Sequence, residues 1–371
     1  MLQNPLSHSS SHSLTSTLQT KIQTHRAKMD ILSHSQFIEL IPGLPSELGL
    51  ECLTRLPHST HRVAARVCNQ WRTLLQSDDF YFHRKKTGHT KKMACLIQAH
   101  EQPQVEKQTG STPPSYDITV FDAESMSWDR IDPVPEYSFG LPLFCQLTSS
   151  EGKLVVMGGW DPASYEPLTA VFVYDFRTNV WRRGKDMPEK RSFFATGSGH
   201  GLIYVAGGHD ENKNALKTAW AYDPKRDEWT VLAPMSQERD ECEGVVVNGE
   251  FWVVSGYATE RQGNFDGSAE VLNIGSGQWR RVEGVWEAGR CPRSCVDIRE
   301  NGEVVDPGLR IGVCSIRVGS INLVTGSEYE GAPYGFYLVD NEEGQNRKMR
   351  KISSVPDGFS GFVQSGCCVE I

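Results

Sequence analysis

Between residues 43 and 83 the apolar positions recur with a helical period. Leu48, Cys52 and Leu56 stand four apart and Leu53 widens the stripe, which predicts an amphipathic helix. Pro42, Gly43 and Pro45 punctuate its start, Ser46 is a candidate N-cap with Glu47 at the positive end of the helix dipole, and Pro57 stops it. Ser59 or Thr60 can cap a second helix carrying Val63, Ala64 and Val67. A third runs through Trp71, Leu74 and Leu75, and Phe80 follows. Gly49 sits inside the first helix, where it costs up to about 1 kcal/mol relative to Ala. Three short helices close only a small core, so this segment is expected to finish burying its apolar surface against a partner.

Further along, the period changes. Val171-Phe172-Val173-Tyr174 and Ala219-Trp220-Ala221-Tyr222 read as strands. Asp122, Asp175, Asp223 and Asn273 each precede a tryptophan by six residues, and those tryptophans (Trp128, Trp181, Trp229, Trp279) are 53, 48 and 50 apart. Upstream of three of them an apolar run ends in small residues: Gly158-Gly159, Gly207-Gly208 and Ser255-Gly256. A period near 50 with a Gly pair, an aromatic-Asp and a Trp is similar to the kelch repeat, in which each unit is one four-stranded propeller blade. The Gly pairs fit strand ends where backbones crowd, and the tryptophans fit burial between blades.

First strands are expected near Leu143, Phe193, Cys242, Ser294 and Val313. The last interval is 19 residues, whereas Val313 to Val363 is again 50. About thirty residues of a blade are missing between Cys295 and Arg310 by that count. The expected fold class is therefore multidomain, a small all-α module followed by an all-β propeller of about six blades with the fifth stunted. The N-terminal blade begins at its second strand, Met93–Gln98, and the segment Gly361–Val369 is expected to supply the missing one and so close the ring.

Composition narrows the function. The 371 residues carry 38 Lys and Arg against 46 Asp and Glu, a net charge of −8. Without a basic face, nucleic acid is not an expected partner. No apolar run approaches the roughly 18 residues of a membrane span, so no membrane partner is expected either. The ten cysteines are scattered and read as free thiols of a reducing compartment, the cytoplasm and/or nucleus. Cys291 and Cys295 have the spacing of half a metal site, with no second Cys/His pair near, and no cofactor is expected. Only His200 and His209 lie beyond residue 100, and no phosphate loop or nucleophile elbow occurs. The chain reads as non-catalytic. Residues 1–37 are rich in Ser, Thr, His and Gln, with Asp30 the first acid, and read as a disordered extension. Their acid-free stretch up to Lys28 also resembles an organelle transit peptide, and Met29 opens a plausible shorter chain. The expected domains are then 1–37, a helical module over 38–88 and a propeller over 92–371.

The order Leu44-Pro45, Glu47-Leu48, Cys52-Leu53, Leu56-Pro57, Val67-Cys68, Trp71 and Leu74-Leu75 resembles an F-box. The resemblance implies docking on a Skp1-family adaptor and, through it, a cullin. It places Leu44, Pro45, Leu48, Leu53, Val67 and Trp71 at or supporting that contact. An F-box ahead of kelch repeats resembles the plant F-box/kelch-repeat proteins. The runs Gly207–Asn214, Glu238–Cys242 and Gly140–Cys145 look like their KISS ME DEADLY subgroup. That likeness implies a substrate receptor of an SCF ubiquitin ligase, with phenylalanine ammonia-lyase and type-B cytokinin response regulators as clients. The alternative is a ligase-independent kelch scaffold.

In an up-down blade, the loop after strand two and the loop leading into the next strand one emerge on the same face. The first set offers Trp160, His209, Asp210 and Tyr257, and the second Arg191, Arg239 and Arg290 or Arg293. Exposed Arg beside Tyr and Trp is the composition of a protein-binding hot spot, so Trp160, Arg191, His209, Asp210, Arg239, Tyr257 and Arg293 are the candidate client-binding residues. The arginines alternatively satisfy carbonyls of a neighbouring blade, and the sequence leaves both readings open.

Overall fold

The computed structural model describes residues 39–100, 115–137, 140–299, 302–305, 309, 311–340 and 349–371. The Ser/His-rich stretch 1–37 lies outside them. The described α-helices all lie before Lys91, in a helical unit, and the strands start at Lys92, in a β unit.

Among the described residues the helical unit has four helices where the sequence pattern gave three: α1 (Ser46–Thr54), α2 (His58–Ala64), α3 (Asn69–Leu75) and α4 (Asp78–Lys86). The expected caps are also corrected. Pro45 and Pro57 themselves occupy the positions before α1 and α2, with φ of −51° and −57°, and no side chain caps either helix. The pyrrolidine ring presets the entering backbone instead. Helix α4 escapes a periodicity reading because its second half is the charged run His83-Arg84-Lys85-Lys86. It is capped by Ser77, whose Oγ accepts from the Phe80 amide at 3.1 Å. Phe80 joins Leu40, Leu53, Ala64, Leu74 and Leu75 in one small core. Arg84 is buried and donates to the carbonyls of Thr54 and Leu56, both at 3.2 Å. The Thr54 carbonyl is the last of α1 and has no partner within the helix, and the Leu56 carbonyl, just beyond it, also meets the His61 ring at 3.3 Å. Gly49 is explained by contact: a Cβ there would sit 3.1 Å from the Leu40 Cβ.

The β unit holds five complete four-stranded blades among the described residues. Blade one comprises β1 (Lys92–Ala99), β2 (Tyr116–Asp122) and β3 (Ser127–Arg130), with β22 (Val363–Glu370) as its innermost strand. Blade two is β4 (Gln146–Ser150), β5 (Lys153–Met157), β6 (Val171–Asp175) and β7 (Val180–Arg183). Blade three is β8 (Ala195–Gly199), β9 (Leu202–Ala206), β10 (Ala219–Asp223) and β11 (Glu228–Val231). Blade four is β12 (Glu243–Val247), β13 (Glu250–Val254), β14 (Ala269–Asn273) and β15 (Gln278–Val282). After a two-stranded hairpin, β16 (Asp297–Ile298) and β17 (Val304–Val305), blade five is β18 (Ile311–Val318), β19 (Ile321–Ser327), β20 (Gly335–Asp340) and β21 (Met349–Lys351). The count of about six blades is thus corrected to five. The hairpin falls in the short interval and contributes only an inner strand. Inner strands touch in the circular order β22, β4, β8, β12, β16, β18 and back to β22. The ring is closed by antiparallel pairing of β1 with β22, from Lys92 opposite Glu370 to Gln98 opposite Val363.

A radial gradient in the sequence follows from this arrangement. Second and third strands such as β5 and β6 are buried along nearly their whole length, because neighbouring blades cover both faces. The fourth strands of blades one to four mix exposed and half-buried positions and each carries one half-buried tryptophan. Trp181, Trp229 and Trp279 each donate an indole N–H to a carbonyl beyond the outer strand of the preceding blade: Asp132 at 2.7 Å, Lys185 at 2.9 Å and Ala233 at 2.7 Å. At these three positions the repeating tryptophan is therefore a latch between blades as well as apolar bulk, whereas Trp128 packs on Phe121 and Phe336. Replacing Trp229 with Phe keeps most of the aromatic area and removes the bond, so thermal unfolding is expected to register a loss of about 1 kcal/mol. An unchanged melting temperature would show that the latch contributes nothing.

Candidate functional site

In the helical unit the apolar stripe read from the sequence does not all face the core. Leu53 is buried, Leu44 and Trp71 are half-buried, and Pro45, Leu48 and Val67 are exposed. Trp71 donates its indole N–H to the Leu40 carbonyl at 2.7 Å, which fixes the chain entering α1. Leu48 is 54% exposed, Val67 64% and Val63 68%. Val63 went unnoticed in the sequence because its position in the α2 stripe made it look like core. Three exposed aliphatic side chains on a unit this small form an unfinished apolar surface.

On the β unit, one face is built from the strand-two exits and strand-one entrances. Bridges join these loops in pairs: Leu143 with Trp160, Ser192 with His209 and Asp240 with Tyr257. The second glycine of each pair makes room for the crossing. A Cβ at Gly159, Gly208 or Gly256 would lie 2.4 to 2.6 Å from the Leu143, Ser192 or Asp240 carbonyl oxygen, and all three have φ of +80° to +86°.

Four of the candidate client contacts are corrected by their burial. Arg191 and Arg239 are 1% and 2% exposed, and His209 and Tyr257 are buried as well. Arg191 donates to the Gly207 carbonyl at 3.0 Å, the Thr218 hydroxyl at 2.9 Å and the Glu189 carboxylate at 2.6 Å. Arg239 donates to the carbonyls of Ser255 at 2.7 Å and Ser268 at 3.3 Å and to the Ser268 hydroxyl at 2.7 Å. Both side chains satisfy the blade they lead into, while the Arg239 carbonyl accepts from Gly208 of the preceding blade at 2.8 Å. Burial lowers both guanidinium pKa values, and Glu189 opposes that at Arg191. His209 is held through Nδ1 by the Asp240 carboxylate at 2.9 Å, and the Tyr257 hydroxyl donates to Glu241 at 2.9 Å. Burial raises the Tyr257 pKa, with Asp240 and Glu241 adding to it. Asp210 is half-buried and accepts from the amides of Asn212 and Asn214, ordering its own loop and lowering its carboxyl pKa.

Trp160 and Arg293 remain as half-buried members of the face. Arg293 lies 5.3 Å over the Phe144 ring and 5.0 Å over Phe193, and Phe193 stacks on His209. This aromatic cluster at the channel mouth was missed as a unit. Its signal was present: Phe144, Phe193, Glu241 and Ser294 share one repeat position and a left-handed φ of 49° to 56°.

Below the mouth, the inner strands enclose a cavity of about 320 Å³ lined by Gln146, Thr148, Thr196, Glu243, Ser294 and Ser365 among others. Burial pushes the Glu243 carboxyl up to about 7, against amide hydrogen bonds from Ser294 and Gly244 that favour the anion.

Residues 41–83 match the F-box domain family and residues 106–298 the KLHDC2/KLHL20/DRC7 Kelch-repeats domain family. F-box/kelch-repeat protein At1g15670 of Arabidopsis thaliana is 35% identical over 90% of this chain and 100% of its own length. F-box/kelch-repeat protein At2g44130 of the same plant is 39% identical over 67% of this chain and 66% of its own length. Among solved structures, YjhT matches with a TM-score of 0.52 at 13% identity, covering 69% of this chain and 97% of YjhT, which bears on the fold alone.

Two outcomes follow. Arg239→Ala orphans the buried Ser255 carbonyl and takes one donor from Ser268, whose carbonyl keeps the Ser255 amide at 2.9 Å, so a stability loss of about 2 kcal/mol is expected in denaturant unfolding, and Arg239→Lys should recover little because an ammonium lacks the planar fork. Glu243 has a folded pKa above its unfolded value, so its ionisation destabilises the ring as pH rises from about 4.5 towards 7. Glu243→Gln does not titrate. Its melting temperature relative to the parent should therefore climb across that window and level off above it, and a flat difference would contradict the assignment.

Proposed function

Because the chain belongs to the F-box/kelch-repeat proteins, we propose that it is a substrate receptor of an SCF-type ubiquitin ligase, joined to a Skp1-family adaptor by α1 and α2 and to a protein client by the propeller loops. The observation that carries this reading is the exposure of Leu48, Val63 and Val67 within the matched F-box segment. Exposed aliphatic residues on a unit with so small a core gain on the order of 1.5–3 kcal/mol each when fully buried, which a partner's apolar groove supplies.

In this reading the chain performs no bond chemistry. Ubiquitin transfer occurs on other subunits, brought close through a cullin, and the receptor contributes effective concentration by holding the client beside them. Phenylalanine ammonia-lyase and type-B cytokinin response regulators are carried as client proposals on the strength of the KISS ME DEADLY resemblance alone. The cytoplasm and/or nucleus is the proposed compartment, supported by ten cysteines that form no disulfide with one another.

The test is a co-purification. With a Skp1-family adaptor co-expressed, the parent chain should bring it down, and Leu48→Asp with Val67→Asp should release it while leaving the melting curve in place. Leu53→Ala should instead lower stability, since Leu53 lies in the core. An adaptor that never co-purifies, or that stays bound to the double variant, overturns the reading and favours a ligase-independent scaffold.

A further inference from the structure

The client side of that reading can be made more specific at blade five. The loop from β19 to β20 is this blade's strand-two exit, so its tip lies on the same face as Trp160 and Arg293. It reads Glu328-Tyr329-Glu330-Gly331. Tyr329 is 65% exposed, and both glutamates are exposed. Ile311, which begins β18 and pairs opposite Ser327, is 47% exposed, and Phe362, just before β22, is 41% exposed.

These side chains sit on a fixed floor. A Cβ at Gly312 would lie 2.8 Å from the Phe362 ring, and the Tyr334 ring is 5.6 Å from that of Phe362. The Tyr334 hydroxyl is tied to Thr325 Oγ1 at 2.7 Å and accepts the Val363 amide at 3.0 Å. Blade five and the closing strand of blade one are therefore pinned together directly beneath the patch. Exposed large apolar residues on a rigid support mark a docking surface more often than a solvated one.

The charge around the patch selects the occupant. Between Ser327 and Tyr334 there is no Lys or Arg, and among the described residues no cation pairs with Glu328 or Glu330. The strand-two exits of blades two, three and four also carry an exposed acid (Glu166, Glu211 and Glu260), with Lys213 and Arg261 near the last two and the exposed Tyr165 beside the first. Blade five thus sets an exposed tyrosine between two exposed glutamates beside the exposed Ile311 and Phe362, with the Tyr165–Glu166 pair of blade two as its smaller counterpart. Opposite charge across a polar rim sets partner choice and register, and apolar contact at the centre supplies affinity. Resting on the receptor reading above, we infer that the Ile311–Tyr329–Phe362 patch docks a client segment whose apolar side chains alternate with Lys or Arg.

Short fluorescein-labelled peptides test this by fluorescence anisotropy against the full chain co-purified with its adaptor. One alternates Lys and Leu, one Glu and Leu, one Lys and Ser. The Lys/Leu peptide should bind, the other two should be weaker by tenfold or more, and added salt should weaken the complex without abolishing it. Tyr329→Ala should cost on the order of tenfold, and Glu328→Lys with Glu330→Lys should remove binding. Glu228→Lys, on the opposite face, should change neither binding nor melting. Equal binding of the Glu/Leu peptide, loss of Lys/Leu binding in Glu228→Lys, indifference to the Glu328/Glu330 reversal, or no binding by any peptide overturns the inference. Adaptor co-purification is read in the same preparation, so a failure here leaves the receptor function separately measured.

Discussion

A four-stranded blade with apolar residues on both faces of its middle strands has no interior of its own. Each blade of this chain becomes a core only when two others cover it, and a linear row would leave two faces wet. Closure is the constraint on which everything else rests. It is met by pairing the two ends of the β unit, β1 with β22, so that the terminal blade is assembled from residues some 270 positions apart in the chain. Pairing at such separation must meet a loop-closure cost before its contacts contribute. The β1–β22 clasp thus couples the integrity of every loop on the face to a strand at the far end of the sequence.

The same constraint explains what could be read beforehand. Elements imposed by repetition were legible: the Gly pairs, the tryptophans and the short interval after Ser294 all reflect a geometry copied along the chain, and copying makes spacing visible. Elements imposed by single contacts were not. Helix α4 is held by Phe80 and by Arg84 reaching the carbonyls at the end of α1, neither of which leaves a periodic trace. The N-caps went wrong because Ser46 and Ser59 fit the usual preference while a preceding proline already fixed the entering φ. The stripe Leu48–Cys52 was recognised as apolar, yet periodicity cannot say whether such a stripe faces its own core or somebody else's.

The arginines show where composition misleads. Arg191 and Arg239 recur because the blade recurs, and an Arg at a loop on a binding face invites a functional reading. Their guanidinium groups instead serve carbonyls that leave the sheet ladder around the strand-two exits of blades three and four, a buried-backbone requirement. The first glycines of the pairs belong to the same joint. A Cβ at Gly158 or Gly207 would lie 3.0 or 2.5 Å from the Arg191 or Arg239 carbonyl of the following blade. The matching position in blade four is Ser255, which is followed by the hairpin and not by a full blade. A Cβ is accommodated where no complete neighbour follows.

That exception leads to the stunted position itself. Losing two outer strands from a ring should expose the faces of blades four and five, yet Trp252, Val271, Tyr337 and Val339 are all buried. The segment between β15 and β16 covers the blade-four face, and Leu309, before β18, covers Tyr337 and Val339 of blade five. Trp286 packs with Trp252, Val254, Ala269 and Val271 in one cluster and donates its indole N–H to the Arg290 carbonyl, within its own turn. A tryptophan from a loop thus fills apolar volume where a blade would have supplied strands. The ring needs six inner strands to close around its channel, and it has six. It needs apolar volume outside them, which need not come as sheet. Closure and covering are separable demands, and for that reason a chain with an incomplete repeat still presents a continuous ring of loops on one face.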